Sequence, residues 1–555
     1  MLSTVNCPSL LDCLRITGLS AAALVVILAL ASVCHHRIKQ VVLWRVPGPP
    51  SPSFLTGSFL QMFDALSGLK FRENVRKTYG TVSRFSGPLG DQVLLISDPM
   101  ALSNILVKNQ DIFEPHEWLT ELFRHSIGPG LLSSTGTLHR RQRKMLNPIF
   151  STQQMRSTTP LFQKITNQLR DVLRAKVVDG PAEVEVIDWF SRAALEMIAQ
   201  GGLGYTFDSL SPDGDVNEFK IAIKEFMPTL SKLFIFLPLF LLVSKWPSRV
   251  LRFVAACFPL ADVKHMMKLV DTTTSFRQDL FEAKKALLAQ GDVELTNQIS
   301  GGKDIVSVLM RANADADAES KMEDEEIMAQ MMTLLGAATE STSNALARTL
   351  QLLAQRPDVQ GRLRQELNDA FVTTGSELGY DELMQLPYLD AICRETLRLY
   401  PPASFVTRVS RVDTTLLLSR PIQGNIALDN YLFVPQGTTV VVDIIGVNTD
   451  PNIWGADADV WKPERWLAPL PGSVSDAHIP AVYSNMLTFL GGARSCIGFK
   501  LAELEMKVVV SQLTRSFRFL PSKTEIVWRL GHVTTPSLKG SRSITPQMTI
   551  VLENM

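Results

Sequence analysis

The sequence predicts a mainly α-helical protein with small β-sheets, arranged as a single large domain over residues 53–555. Three observations carry this. Apolar residues recur at helical spacing in long segments from 99 to 399, strand-like alternation is confined to short stretches near 81–97, 405–442 and 526–552, and no compositional break interrupts the chain after a proline-rich segment at 46–52. The 555 residues carry 55 Lys plus Arg against 55 Asp plus Glu, which gives no global electrostatic attraction for nucleic acid.

The first 45 residues form a unit of their own. From Ile16 to Cys34 the run ITGLSAAALVVILALASVC has no charge, and a helix of that length nearly spans a hydrocarbon core of about 30 Å. A cleaved signal peptide is the competing reading, but the run exceeds the roughly 7 to 15 residues of a signal h-region, and His35, His36, Arg37 and Lys39 follow it at once. A transmembrane anchor at about 16–34 is therefore expected. Those basic residues and Arg45 outweigh Arg15, which places the bulk of the chain in the cytosol. The hinge Val46-Pro47-Gly48-Pro49-Pro50-Ser51-Pro52 cannot be helical and reads as a stiff extended spacer.

Beyond the hinge, Thr81–Phe85 and Gln92–Ser97 alternate as strands between Gly-Pro and Asp-Pro turn signals. Helices are expected at about 99–109, 137–147, 160–177, 188–202, 262–290, 303–312, 323–355, 357–372 and 386–399. A second apolar run, Leu233–Val243, is interrupted by Pro238 and is too short to span; it reads as buried core or as a loop dipping into a membrane surface. The six cysteines are scattered without a C-x-x-C pair, so neither a disulfide framework nor a zinc ribbon is indicated. The histidines form no H-x-x-x-H pair and no G-x-S-x-G elbow occurs, which removes zinc and serine hydrolases.

One segment carries specific chemistry. Phe489-Leu490-Gly491-Gly492-Ala493-Arg494-Ser495-Cys496-Ile497-Gly498 fits the pattern F-x-x-G-x-R-x-C-x-G at every defined position. A metal-bonded thiolate has to be kept deprotonated, and glycines such as Gly492 and Gly498 let backbone amides come close to sulfur. An inert buried cysteine is the usual fate of a free thiol, and the intact motif argues against it here.

With this motif the chain resembles the cytochrome P-450 family, from the hinge to the C-terminus. The resemblance implies a haem-thiolate monooxygenase domain at 53–555 that binds haem b through Cys496 as axial iron ligand, with Phe489, Gly492 and Gly498 shaping the loop and Arg494 on a haem propionate. Glu395-Thr396-Leu397-Arg398 places a carboxylate and a guanidinium on one helix face. It resembles the family's buried pair, completed by Arg465 of Pro463-Glu464-Arg465-Trp466, a structural triad that braces the ligand segment. Leu138-His139-Arg140-Arg141-Gln142-Arg143-Lys144 resembles the family's W-x-x-x-R helix, with His139 where tryptophan is usual and Arg143 reaching a propionate; Arg408 is the remaining propionate candidate.

Leu335-Gly336-Ala337-Ala338-Thr339-Glu340-Ser341-Thr342 resembles the family's A-G-x-[D/E]-T-T run with two departures, Ala338 for glycine and Ser341 for the first threonine. The acid and alcohol are then Glu340 and Ser341, with Thr342 beside them, and they would deliver protons as dioxygen is reduced. Helix-carbonyl bonding by these hydroxyls is the structural alternative. No dinucleotide fingerprint is present, so the resemblance implies electrons from a separate NADPH-dependent flavoprotein reductase, docking on Arg140, Arg141, Lys144 and Lys500. It also implies an endoplasmic reticulum location. Substrate contacts are expected from Phe113–Phe123, Leu334, Leu335, Ala338, Phe405–Thr407 and Thr534, mostly apolar positions that suit a lipophilic terpenoid, sterol, fatty acyl chain or polyketide. The motif style is similar to fungal secondary-metabolism members. Two rivals remain at this point, a haem-thiolate isomerase or dehydratase that needs no reductase and a non-catalytic haem-binding membrane protein.

Serine lacks the β-methyl that restricts threonine χ1, so the Ser341 hydroxyl is less well held. The expected outcome is partial uncoupling, measured as peroxide released per cofactor oxidised; tight coupling would exclude it.

Overall fold

The computed structural model describes residues 37–211, 218–233, 243–290, 302–422, 430–543 and 545–555, together with 236 and 240. The membrane helix expected at 16–34 lies outside these residues, as does most of the apolar run at 233–243, and among the described residues no helix is long and apolar enough to cross a membrane.

The principal helices are α1 (Gly136–Leu146), α2 (Thr152–Ala175), α3 (Ile187–Ile198), α4 (Ala261–Gln290), α5 (Asp324–Gln355), α6 (Pro357–Thr374), α7 (Pro387–Leu399) and α8 (Phe499–Ser516). Helix α5 is the axis of the domain and packs against α3, α7 and α8. Its start is strongly specified: Glu323 and Glu326 form a reciprocal capping box, and Asp324, Glu325 and Glu326 place negative charge at the positive end of the helix dipole. Glu326 also accepts both oxygens' worth of hydrogen bonds from Arg141 (2.8 and 2.7 Å) and one from Gln142 Nε2 (2.7 Å), which ties α1 to the head of α5. Arg141 is thus committed to an internal ion pair and is not the docking charge expected of it.

Twelve short strands make four sheets among the described residues. The largest has the order β1 (Val82–Ser86), β2 (Gln92–Ile96), β8 (Thr439–Asp443), β5 (Phe405–Ser410), β3 (Phe113–Glu114), with β2 and β8 parallel and the other pairs antiparallel. A second joins β4 (Ala182–Glu185), β12 (Thr549–Asn554) and β9 (Phe517–Leu520). Two hairpins complete the set, β6 (Thr414–Leu417) with β7 (Tyr431–Val434), and β10 (Ile526–Arg529) with β11 (Thr535–Leu538). The hinge is extended as expected but is docked: the Arg84 amide donates to Pro47 O at 3.0 Å, and a Cβ on Gly48 would lie 1.9 Å from Arg84 O.

The expected triad is present and fully enclosed. Arg398 donates from Nε and Nη2 to the two Glu395 oxygens at 2.8 Å each, and both side chains have 0% exposure. Glu395 also accepts from Arg465 Nε (3.3 Å), Trp466 Nε1 (3.0 Å) and the Lys462 amide (3.1 Å). Arg398 Nη1 spends its remaining capacity on the carbonyls of Asn448 and Ala458, both at 2.7 Å. Removing one member strands the others without solvent. Arg398→Ala is expected to lose about 3–5 kcal/mol of stability, read by chemical denaturation, with little recovery in Arg398→Lys because an ammonium cannot span four acceptors.

Candidate active site

The Cys496 loop is assembled from both sides. Asn448 accepts the Leu487 amide on Oδ1 (2.7 Å) and donates from Nδ2 to Thr488 Oγ1 (2.9 Å), while the Thr488 hydroxyl donates to Leu397 O (2.8 Å). Since Asn448 O receives Arg398, the buried triad is bonded directly into the strand of chain leading to the loop. Phe489 packs edge-on to Tyr483 at 5.4 Å between ring centroids, and the Cys496 amide donates back to Phe489 O at 2.8 Å, closing the loop.

The two glycines in the middle are required by space. A Cβ on Gly491 would lie 2.0 Å from Pro480 O, and Gly492 (φ +73°) would put one 1.9 Å from Leu106 O. They permit close contact with neighbouring chain, a requirement that the sequence did not reveal. Leu490 takes a left-handed φ of 57°, a strained position for a branched side chain, held by its amide's bond to Leu487 O and by the Val482 amide on its carbonyl. At Gly498 the φ of −90° is unexceptional; its contribution is its amide, which hydrogen-bonds Cys496 and lowers the thiol pKa. Arg143 pulls the same way, and burial, the largest influence, pushes the thiol up.

Arg143 reaches the loop by donating to Ser495 O (2.5 Å) and to Asn147 Oδ1 (2.8 Å), one residue short of the sulfur. Around it stand the other basic candidates. Buried His139 feels Arg494, Arg143 and Arg408, and burial followed by these three charges brings its imidazole down to about 3, so it is neutral. Arg408, 7% exposed, is lowered to about 10 by burial and then by Arg494. Arg494 donates to Ser134 O at 2.9 Å. Among the described residues none of Arg143, Arg408 and Arg494 has a carboxylate within 4 Å, whereas Arg398 and Arg465 do; Arg494 feels Glu114 and Asp111 only at longer range. Three guanidiniums and a neutral imidazole gathered without a counter-anion suit a ligand bearing carboxylates.

The site's internal space is visible from accessibility. Cys496 is accessible although protein surrounds it closely enough to raise its pKa, and Gly336 and Ala337 are accessible in the middle of α5, whose preceding residues from Ala329 to Leu335 are buried. A Cβ on Gly336 would meet nothing within 4 Å. Small residues on α5, an enclosed accessible thiol and an unneutralised cation cluster together fit an iron porphyrin with two propionates, Cys496 as the iron ligand and Arg143, His139, Arg408 and Arg494 as the propionate partners.

On α5 the three expected catalytic residues separate. Glu340 is half-buried with no side-chain hydrogen bond or ion pair among the described residues, and burial alone pushes its carboxyl up to about 7. Ser341 is half-buried beside it, its hydroxyl donating to Ala337 O at 2.6 Å, the helix-carbonyl bond weighed above. Thr342 is buried and turned toward Glu505 of α8. Glu505 has 0% exposure, and burial raises its carboxyl to about 8. The Thr342 hydroxyl lowers that value somewhat, yet neither Glu505 oxygen has a well-formed hydrogen bond. Sequence reasoning missed Glu505 with the whole of α8; the signal was a carboxylate amid the apolar run following Cys496.

Of the expected substrate positions, Phe405–Thr407 and Ala338 are half-buried, whereas Leu335 (0% exposed) and Phe113 (1%) are packed into the core and line nothing. Gly336 and Ala337 take the place assigned to Leu335.

Comparison with known proteins agrees with this geometry. The profile of the Cytochrome P450 family matches residues 47–540. A cytochrome P450 monooxygenase of Postia placenta is 45% identical over 91% of this chain and 91% of its own. A ganoderic acid synthetase of Ganoderma lucidum is 39% identical over 93% of this chain and 95% of its own, and a cytochrome P450 monooxygenase of Hericium erinaceus 36% identical over 95% and 97%.

Glu505 generates a pH effect. Because burial holds its folded pKa near 8, above the ordinary 4.5, its contribution to stability is complete below about 4.5 and is lost as pH rises through about 8. Glu505→Gln, which cannot ionise, is expected to flatten the decline of Tm with pH across that window, leaving the variant ahead of wild type at the alkaline end; parallel Tm curves would refute it.

Proposed function

The chain belongs to the cytochrome P450 family and is a monooxygenase with a haem iron cofactor, and from that premise we propose that it oxidises a lipophilic terpenoid- or sterol-like secondary metabolite at a membrane, with electrons from a separate NADPH-dependent flavoprotein reductase. The observation that carries this reading is the accessible Cys496 thiol, enclosed by protein and set beside a cation cluster that lacks its anion. Bound haem supplies dioxygen activation, assisted by electron donation from the thiolate.

The chain's residues do the rest. Arg143, Arg408 and Arg494 neutralise the propionates and His139, being neutral, adds a hydrogen bond. Glu340, with a carboxyl near 7, changes protonation at working pH and can both take up and release a proton. Ser341 must turn its hydroxyl away from Ala337 O to pass that proton on, which is the physical source of imperfect coupling. Apolar Ala337, Ala338, Phe405 and Val406 exclude water and favour an apolar substrate.

Terpenoid chemistry is supported by the relative whose name is ganoderic acid synthetase. Attachment to the endoplasmic reticulum membrane is supported by the uncharged run at 16–34 and by the exposed apolar side chains that follow it in sequence, Ile38, Val41, Trp44, Phe54, Leu55 and Leu60. With Arg141 paired to Glu326, the basic residues that could meet an acidic reductase are Lys144, Lys500 and Arg140, whose pairing with Asp111 (3.7 Å) is at the surface.

Microsomes containing the chain and a matching reductase, given NADPH, isotopically heavy dioxygen and a pooled panel of terpenoids, sterols and fatty acids, are expected to yield a product one heavy oxygen atom larger. The gain disappears in Cys496→Ala. A fatty-acid product alone would overturn the substrate class, and no NADPH consumption with any substrate would overturn the reductase-driven reading.

A further inference from the structure

We propose that Tyr483 is a positioning residue for the Cys496 thiolate: with Glu503, Lys507 and Asp390 it forms a buried clamp that ties the turn before the ligand loop to the helix after it. The proposal rests on the haem-thiolate reading above. Backbone strain gathers just ahead of the loop. Six non-glycine residues have a left-handed φ among the described residues, and four of them, His478, Ser484, Asn485 and Leu490, fall between positions 478 and 490. Ser484 (φ 50°) and Asn485 (φ 54°) are the central pair of a tight reversal in which Tyr483 bridges Met486. Asparagine tolerates this region but serine and leucine do not favour it, so the segment keeps its shape only where its surroundings hold it.

Asn448 supplies one hold, on Leu487 and Thr488. Tyr483 supplies another. It is 7% exposed and donates its hydroxyl to Glu503 of α8 at 3.4 Å. Its ring packs edge-on to Phe489 at 5.4 Å and tilted against Phe499, the first residue of α8, at 6.3 Å. Next to it the Val482 amide donates to Leu490 O at 3.1 Å, closing the segment on itself. One side chain therefore touches both the residue whose carbonyl takes the Cys496 amide and the helix that begins just past the sulfur.

Glu503 is fixed in turn. Lys507, one helical turn along α8 and 1% exposed, pairs with Glu503 (3.1 Å) and with Asp390 of α7 (2.8 Å). Burial works against its ammonium, yet Glu503 and Asp390 outweigh burial and hold its pKa above the ordinary value, so Lys507 is charged. Asp390 also pairs with Arg394 (2.7 Å), whose guanidinium stands 5.8 Å from the centre of the Tyr483 ring. Lys507 and Arg394 thus balance Asp390 and Glu503, and the cluster needs no phenol for neutrality. Burial, followed by Glu503 and Asp390, pushes the Tyr483 phenol well above its ordinary range, so it stays protonated and donates. What it adds is direction.

The test uses the full-length haem-loaded chain, reduced and saturated with carbon monoxide, whose Soret band reports whether the sulfur is held as thiolate. In urea below the global unfolding transition, Tyr483→Phe is expected to lose the thiolate-ligated band about tenfold faster than wild type, the worth of one buried hydrogen bond. Far-UV circular dichroism stays unchanged over the same interval, because the ring and the ion pairs are retained. Glu503→Leu shows the same acceleration, and adding Tyr483→Phe to it has no further effect, since the bond is already gone. Glu503→Gln, which keeps an oxygen for the phenol, restores part of the difference. Equal rates in Tyr483→Phe and wild type, or additive effects of Tyr483→Phe and Glu503→Leu, overturn the proposal. A loss of helix that keeps pace with the band also overturns it, because Tyr483 is then a general stabiliser. Absence of a thiolate-ligated band in wild type overturns the haem-thiolate reading instead, and the proposal falls with it.

Discussion

The structure around the thiol depends on one buried carboxylate. Glu395 collects Arg398, Arg465, the Trp466 indole and the Lys462 amide, so four donor groups from two segments of chain, α7 and residues 462–466, converge on two oxygens with no solvent access. A buried ion pair of this kind adds little net stability compared with apolar packing, since desolvating the charges offsets most of their attraction. What it supplies is geometry. Arg398 has directional donors left over, and these set Asn448, which sets Leu487 and Thr488, which lead to Phe489 and the Cys496 amide. Cys496 is thereby held by a chain of directional bonds anchored to α7 rather than by the loop's own propensity.

Charge is distributed unevenly around this frame. On one side stand three guanidiniums without a close carboxylate, and on α5 and α8 stand two carboxyls, Glu340 and Glu505, without a close cation. Neither arrangement would be stable if the groups could reach one another. Helix packing keeps them apart, and burial raises both carboxyls toward neutral pH. The two carboxyls differ in access, Glu340 being partly open and Glu505 sealed behind Thr342, so only Glu340 can exchange protons directly with the cavity.

Helix α2, with one apolar face, was readable because burial on one side imposes a 3.6-residue period. Helix α8 was not, because from Leu504 to Val510 it is buried on every side, and the buried Glu505 and Lys507 break the apolar pattern. Arg141 misled for a related reason: a basic residue on a polar helix looks solvated until the capping glutamate of a distant helix is brought to it. Leu335 and Thr342 misled through rotation, since a cavity is seen only by the few positions of α5 that the packing of α3 and α8 leaves open.

The sequence by itself determined the family, through the motif around Cys496, and the pairing of Glu395 with Arg398, because each depends on residue type at short spacing and is readable without knowing neighbours. Tertiary structure decided everything that depends on what stands opposite: that Gly491 and Gly492 make room for carbonyls of other segments, that Ser341 is open and Thr342 closed, and that Arg141 is paired with Glu326. Burial and the missing partner are relations between distant parts of the chain, and no local pattern encodes them.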